Sequence, residues 1–132
     1  YLLEINKPEK AFAIINQDAA KFPHRSLFPW SVFITISPKE MRGLGFPTSA
    51  EMQRLDKIEE NIVEQLLKNN HLCYVGHITG ASKREIIFYL PEKAEASRLI
   101  EGLLKTHFPT GNARTEINFD SNWENVSGLL RQ

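Results

Sequence analysis

The sequence has a single cysteine, Cys73, among 132 residues, so no disulfide can form within the chain. A lone thiol fits a reducing compartment, and a cytoplasmic protein is expected on that ground. Net charge is also missing: 16 Lys and Arg balance 16 Asp and Glu. That balance removes the long-range field that draws proteins to nucleic acid or anionic membrane, so neither is expected as a partner. No apolar run approaches the ~18 residues that cross a bilayer. The first residues lack the basic, apolar and small-residue layout of a signal peptide. There is no internal repeat, low-complexity tract or domain-dividing linker. No catalytic or cofactor motif stands out, and no cofactor is expected. Gly43-Leu44-Gly45 is too short and wrongly placed to cradle a phosphate, and its glycines are read as serving a turn.

What is present is an ordinary globular composition. Hydrophobic residues make up 42% and charged residues 24%, enough for a core without staples. One domain over 1–132 is expected, with an N-terminal extension (1–29), a central unit (30–119) and a C-terminal helix (120–132). In the extension, two apolar runs flank Lys7-Pro8-Glu9-Lys10, and Ala11 to Ile15 reads as a strand. Gln17 to Phe28 is mixed, a loop or short helix.

The central unit opens with Trp30 to Ser37, where Val32, Ile34 and Ile36 alternate with Ser31, Phe33 and Thr35 between two prolines. Thr48-Ser49-Ala50-Glu51 matches a capping box. Met52, Leu55, Ile58, Ile62, Leu66 and Leu67 then recur at helical spacing, with Glu51, Arg54, Glu60 and Glu64 on the opposite face. Asn69-Asn70 is a reasonable stop.

His71 to Thr79 and Lys83 to Leu90 read as a hairpin around Gly80-Ala81-Ser82. A three-residue loop pairs Thr79 with Lys83 and His77 with Glu85. Leu72, Tyr74, Gly76 and Ile78 then share a face with Arg84, Ile86, Phe88 and Leu90. A one-residue slip would invert one strand. Pro91 suits the first turn of a second helix carrying Ala96, Leu99, Ile100, Leu103 and Leu104. Asn112 to Phe119 is the last strand, and Asp120 caps a short helix with Trp123, Val126, Leu129 and Leu130. The expected fold is α+β: a ferredoxin-like, split βαβ arrangement with βαββαβ order. Two helices cover one face of its antiparallel sheet, with an N-terminal strand and a C-terminal helix added.

Several segments share a recognisable order and spacing. Gly45-Phe46-Pro47-Thr48-Ser49-Ala50-Glu51 leads into Leu55-Asp56-Lys57-Ile58-Glu59. Tyr74-Val75-Gly76-His77-Ile78-Thr79, Arg84-Glu85-Ile86-Ile87-Phe88-Tyr89 and Asp120-Ser121-Asn122-Trp123-Glu124 follow. From about Trp30 to Leu130 the chain thereby resembles a bacterial family catalogued as a domain of unknown function, number six-nine-five. That family is distantly similar to the ribonuclease E activity regulator B proteins, which share the ferredoxin-like fold and restrain an endoribonuclease. The resemblance implies that fold and a regulatory role, and it transfers no catalytic residue.

Chemistry-bearing residues concentrate around Cys73. On a strand, His71, Cys73 and His77 point to one side, and Cys and His are good metal ligands. His71 and His77 nonetheless lie about 20 Å apart on an extended strand. Cys73 with His71 is a candidate nucleophile and base, and His77 opposite Glu85 a candidate acid–base pair. The plainer readings are a packed thiol and a cross-strand surface pair. Lys83 to Tyr89 is the one segment comparable to an RNA-stacking strand, but it lacks the glycine and paired aromatics. Trp123 is expected to dock the last helix, and Trp30 and Phe33 to lie on the face opposite the main core.

The leading expectation is a non-enzymatic binding or regulatory module acting through protein–protein contact, with an unknown protein or a second copy as partner. Its surface would be the sheet face carrying Phe33, Val75, Ile87 and Tyr89, or a sheet edge. The alternative is a small enzyme or a metal- or ligand-binding domain using His71, Cys73, His77 and Glu85.

Overall fold

The computed structural model describes residues 2–6, 9–68 and 70–130, with side chains from residue 11 onward. The Lys7-Pro8 pair and Asn69, half of the expected helix stop, lie outside the described residues. The strands are β1 (Leu2–Asn6), β2 (Glu9–Ile15), β3 (Trp30–Ile36), β4 (Cys73–Gly80), β5 (Lys83–Leu90) and β6 (Ala113–Phe119). All neighbours are antiparallel, in one sheet ordered β1-β2-β4-β5-β3-β6. The helices are α1 (Gln17–Ala20), α2 (Ser49–Leu67), α3 (Ala94–His107) and α4 (Ser127–Leu130). The fold is therefore mixed α+β, and the strand, helix, strand, strand, helix, strand order from Trp30 is present. The N-terminal segment is not an appendage: it adds two strands beyond β4 where one was expected.

The long helices form where apolar residues repeat at helical spacing. Leu55, Ile58, Ile62 and Leu66 of α2, with Ala96, Ile100 and Leu104 of α3, pack on Val32, Ile34, Ile36, Ile86, Phe88 and Leu90. Alternation in β3 and β5 supplies that apolar face. Leu67 falls off the stripe and is exposed. Trp30 shares the parity of Val32 and packs on this side against Phe119, contrary to the expected opposite face.

At the start of α2, the Thr48 hydroxyl accepts from Glu51 N, as a capping box requires. The Glu51 carboxylate does not return to Thr48. It accepts from Arg54 and from Lys39 N (2.6 Å), while Thr48 N donates to Glu40 O. The Arg54 guanidinium, more than that amide, holds the Glu51 carboxyl down at about 2 against the opposing effect of burial.

The other face of the sheet is covered by the segments 17–28 and 120–130. Trp123 is fully buried there with Ala19, Val75, Ile87, Tyr89 and Val126. It stacks on Tyr89 at 4.2 Å between ring centres and donates from Nε1 to Phe28 O. The Tyr89 hydroxyl donates to Asp120, whose carboxylate also accepts from Glu124 N and Asn125 N. Asp120 thus starts the final turns, as its capping residue type suggests.

The hairpin departs most from expectation. Its loop is two residues, Ala81 and Ser82, both at positive φ, and Gly80 pairs with Lys83. Positive φ at both central positions matches the twist of the flanking strands. His77 therefore lies opposite Ile86, not Glu85. A bulge between Tyr74 and Gly76 then inserts one extra residue, and Tyr74 lies opposite Phe88. Gly76 makes the bulge possible. Its φ is +150°, and a Cβ there would sit 2.1 Å from Ile14 O of β2. Asn16 takes the bulge's carbonyls, donating from N to Val75 O and from Nδ2 to Tyr74 O.

Gly76→Ala is expected to cost about 2 kcal/mol or more, because backbone must move. Gly102→Ala in α3, where a Cβ meets nothing within 4 Å, should stabilise by about 0.5–1 kcal/mol. Urea unfolding of the two variants checks both signs.

Candidate functional site

The register decides where each expected site residue sits. Val75, Ile87 and Tyr89 are fully buried beneath Trp123 and Val126, with Phe33 packed against the same cluster. They do not form the open interaction surface the sequence suggested, because the chain's own segments 17–28 and 120–130 cover that face. The residues of the alternative site are dispersed. His71 precedes β4 and is exposed, in a hollow with Phe28, Lys68 and Asn70. Cys73 lies opposite Tyr89 on that covered face, half-buried. Burial pushes its thiol pKa up, which Arg25 only partly opposes, the reverse of the shift that activates a thiol. Glu85 lies opposite Ile78, with Lys83 Nζ at 3.8 Å. His77 faces the helices instead. Among the described residues, no group of three or more His, Cys, Asp or Glu is placed to hold a metal ion.

What the bulge does bring together is Tyr74 and His77. Three residues apart, they would lie on opposite faces of a regular strand. With one residue bulged out, both point at α2 and meet Glu59. The Tyr74 hydroxyl donates to Glu59, and His77 Nδ1 lies 2.9 Å from the same carboxylate. Arg84, fully buried on β5, donates from Nη1 to Glu59 (3.3 Å) and to Asp56 (2.7 Å), and from Nε to the Thr79 hydroxyl (2.9 Å). Burial, and then the negative charge on Glu59, keeps the Tyr74 hydroxyl protonated far above the ordinary phenol range. The Glu59 carboxylate thus meets three hydrogen-bonding side chains in a site nearly closed to water.

Beside this cluster runs a groove of about 620 Å³ between α2 and the β2–β4 edge of the helix layer. Its lining includes Asp56, Glu59, Glu60 and Glu64 with Met52 and Val63 on α2, and Ile14, Tyr74 and His77 from the sheet. Ile14 lies opposite His77, and Phe12 opposite Thr79, so both aim to the helix side. They lie beyond the reach of α2, which leaves Ile14 57% and Phe12 44% exposed. Phe46 packs on Phe12 at 5.5 Å. The groove has acidic residues on its helix wall and apolar ones on its strand floor.

Sequence reasoning missed this site although signals for it were present. Arg84 sits in step with Ile86, Phe88 and Leu90 on a core-facing strand, and a buried guanidinium demands a buried acid. Asp56 and Glu59 lie one turn apart on α2, next to the apolar stripe. The one-residue loop error hid the connection by turning His77 to the wrong side.

The two acids on Arg84 differ in weight. Asp56 is closer but half exposed, whereas Glu59 is buried. Asp56→Asn is expected to cost at most about 1 kcal/mol. Arg84→Met, which strands the Glu59 charge, should cost about 3–5 kcal/mol. In a double-mutant cycle with Glu59→Gln, the two losses should fall short of additivity by about 1–2 kcal/mol.

No curated protein and no solved structure matches the chain. None of these comparisons carries the likeness to the ribonuclease E activity regulator B proteins. A family model matches residues 1–127, a stretch that takes in the two added strands as well as α1, α2, α3 and the Trp123 turn. The chain belongs to that family, described as a family of unknown function, DUF695.

Proposed function

We propose that the protein is a binding module whose groove takes a Lys- or Arg-bearing peptide segment with an apolar side chain from a partner protein. The observation that carries this reading is the segregation of charge. The chain as a whole is neutral, yet four carboxylates line the groove, Asp56 and Glu59 answered by Arg84 behind them, and no Lys or Arg is among the lining residues. Glu60 and Glu64 stand at i, i+4 along α2, a spacing at which like charges weaken a helix, whereas Asp56 already meets Arg84. A cationic ligand removes that repulsion. Ile14 on the strand floor, with Met52 and Val63 on the helix wall and exposed Phe12 beside the groove, supplies apolar surface for the rest of the segment, and exposed apolar area beside a complementary charge is what a docking site needs. A reducing, cytoplasmic setting and a regulatory use of such a contact belong to the same reading. No described helix is long and apolar enough to cross a membrane.

A second reading has one observation in its favour. Glu59 holds His77 Nδ1, and a carboxylate in that position orients an imidazole as a general base. The groove would then admit a substrate to the other ring nitrogen. The binding reading is preferred because Glu59 is already engaged by Tyr74 and Arg84 as a structural anchor.

A five-residue peptide alternating Arg and Leu is a direct probe, followed by amide NMR shifts. Shifts should concentrate on Phe12 to Ile14, Met52 to Glu64 and His77, and affinity should fall steeply with salt. Glu60→Gln/Glu64→Gln should weaken binding at least about tenfold. Equal binding of the peptide by that variant, or shifts centred elsewhere, would remove the proposal.

A further inference from the structure

At the far end of the sheet from the groove, β6 has a neighbour on one side only. The two edges of this sheet are unlike. The β1 edge is irregular, with a register shift between Glu4 and Asn6. The β6 edge is regular: seven consecutive residues pair with β3 without a shift. Regular, unbulged edges template pairing with another strand, and proteins usually blunt them.

The direction of the free amides can be read from the ladder ends. Ser37 N donates to Asn112 O (2.9 Å), and Asp120 N donates to Pro29 O (2.6 Å). Both contacts continue the β3–β6 register and involve even-numbered residues of the last strand. Hydrogen-bonded and non-hydrogen-bonded positions alternate in an antiparallel ladder. Residues 112, 114, 116, 118 and 120 therefore turn their backbone groups to β3. Ala113, Thr115, Ile117 and Phe119 turn theirs outward.

A second observation falls on the middle of this outward set. Thr115 Oγ1 is the one buried side-chain oxygen or nitrogen without a hydrogen-bond partner among the described residues. A native fold rarely leaves such a group unpaired, and each instance calls for an account. Thr115 lies opposite Ile34 and so faces the helix side, in a hollow of about 370 Å³ with Lys93, Ser97 and Glu101 of α3 and with Ile117.

We propose that the chain pairs with a second copy of itself through β6, antiparallel, about a two-fold axis at Thr115. This is independent of the groove reading. On that axis Thr115 meets Thr115 of the second copy as a hydrogen-bonded pair, and Ala113 meets Ile117 in both directions. The outward amides are thereby satisfied, and each Thr115 hydroxyl gains its counterpart, a recognised cross-strand hydrogen-bonding pair. On the other face, Arg114 lies opposite Glu116 of the second copy, and Glu116 opposite Arg114. These are non-hydrogen-bonded positions, where side chains approach most closely. Both residues are exposed in the single chain. An axis moved by one residue, to Arg114 or Glu116, would set like charges opposite each other. The partner strand closes the open side of the hollow under α3. The β1–β2 end, and with it the groove, stays clear.

A contact of this length is a small interface, so micromolar association is expected. Sedimentation velocity of the full chain between about 5 and 500 μM should show a shift from one to two chain masses. Arg114→Glu places four carboxylates across the axis and should weaken dimerisation at least about tenfold. The exchange Arg114→Glu/Glu116→Arg should restore it, because the pairs re-form in this register only. Thr115→Pro should abolish it: the lost amide faces outward, a position an edge strand tolerates in the monomer. Circular dichroism confirms that each variant is folded. A wild-type chain that stays monomeric at the highest concentration overturns the proposal. So does a dimer indifferent to Arg114→Glu, or a reversal the exchange does not rescue.

Discussion

The contact on which the site depends is the carboxylate of Glu59, carried by α2 into the sheet. A carboxylate is costly to take out of water, and it stays there only because Arg84, His77 and Tyr74 meet it. Those three side chains come from two strands: the two-residue loop turns Arg84 and His77 to the helix side, and the bulge at Val75 brings Tyr74 to join them. The bulge exists because residue 76 has no side chain and β2 can close on it, with Asn16 taking the carbonyls left over. A glycine, a bulge and a buried acid thus form one device. It fixes where α2 lies and leaves a groove along its outer side.

The two faces of the sheet are finished differently. The helix face is held by ordinary apolar packing of α2 and α3, reinforced by His107 Nε2 lying 2.9 Å from Asn61 Oδ1 between the helices. The opposite face is held by Trp123, whose ring fills the space over Tyr89 and whose Nε1–H is satisfied by Phe28 O. Burying this residue on the chain's last segment seals the face that would otherwise have been available to a partner. Open apolar surface is consequently displaced to β2, where the sheet runs wider than the helix layer, and a regular open edge is left at β6.

Much of this was legible in the sequence. The α2 repeat, its Thr48 cap, the alternation of β3 and the last strand all express local rules, and each element lies where its pattern put it. The docking role of Trp123 was legible for the same reason, as was a turn role for Gly45, which has φ +76°. The site was not, because its assembly is non-local. Gly80-Ala81-Ser82 reads as a three-residue loop, but Gly80 pairs in the strand, and Ala81 and Ser82 adopt a conformation their residue types do not advertise. One residue of register turned His77 to the wrong face. The bulge at Val75 carries no sequence mark except Gly76, whose reason for being glycine lies on β2, far away in the chain. Nothing in the residue type of Glu59 marks it as buried; only Arg84, charged in a core-facing row, pointed to it.

Side-chain NOEs of the His77 ring test the account most directly. The bulged register predicts contacts from that ring to Tyr74 and to Glu59 and Met52 of α2, with none to Cys73 or Glu85. Contacts to Cys73 and Glu85 instead would mean an unbulged hairpin with His77 on the other face, and neither the Glu59 cluster nor the acidic groove would stand.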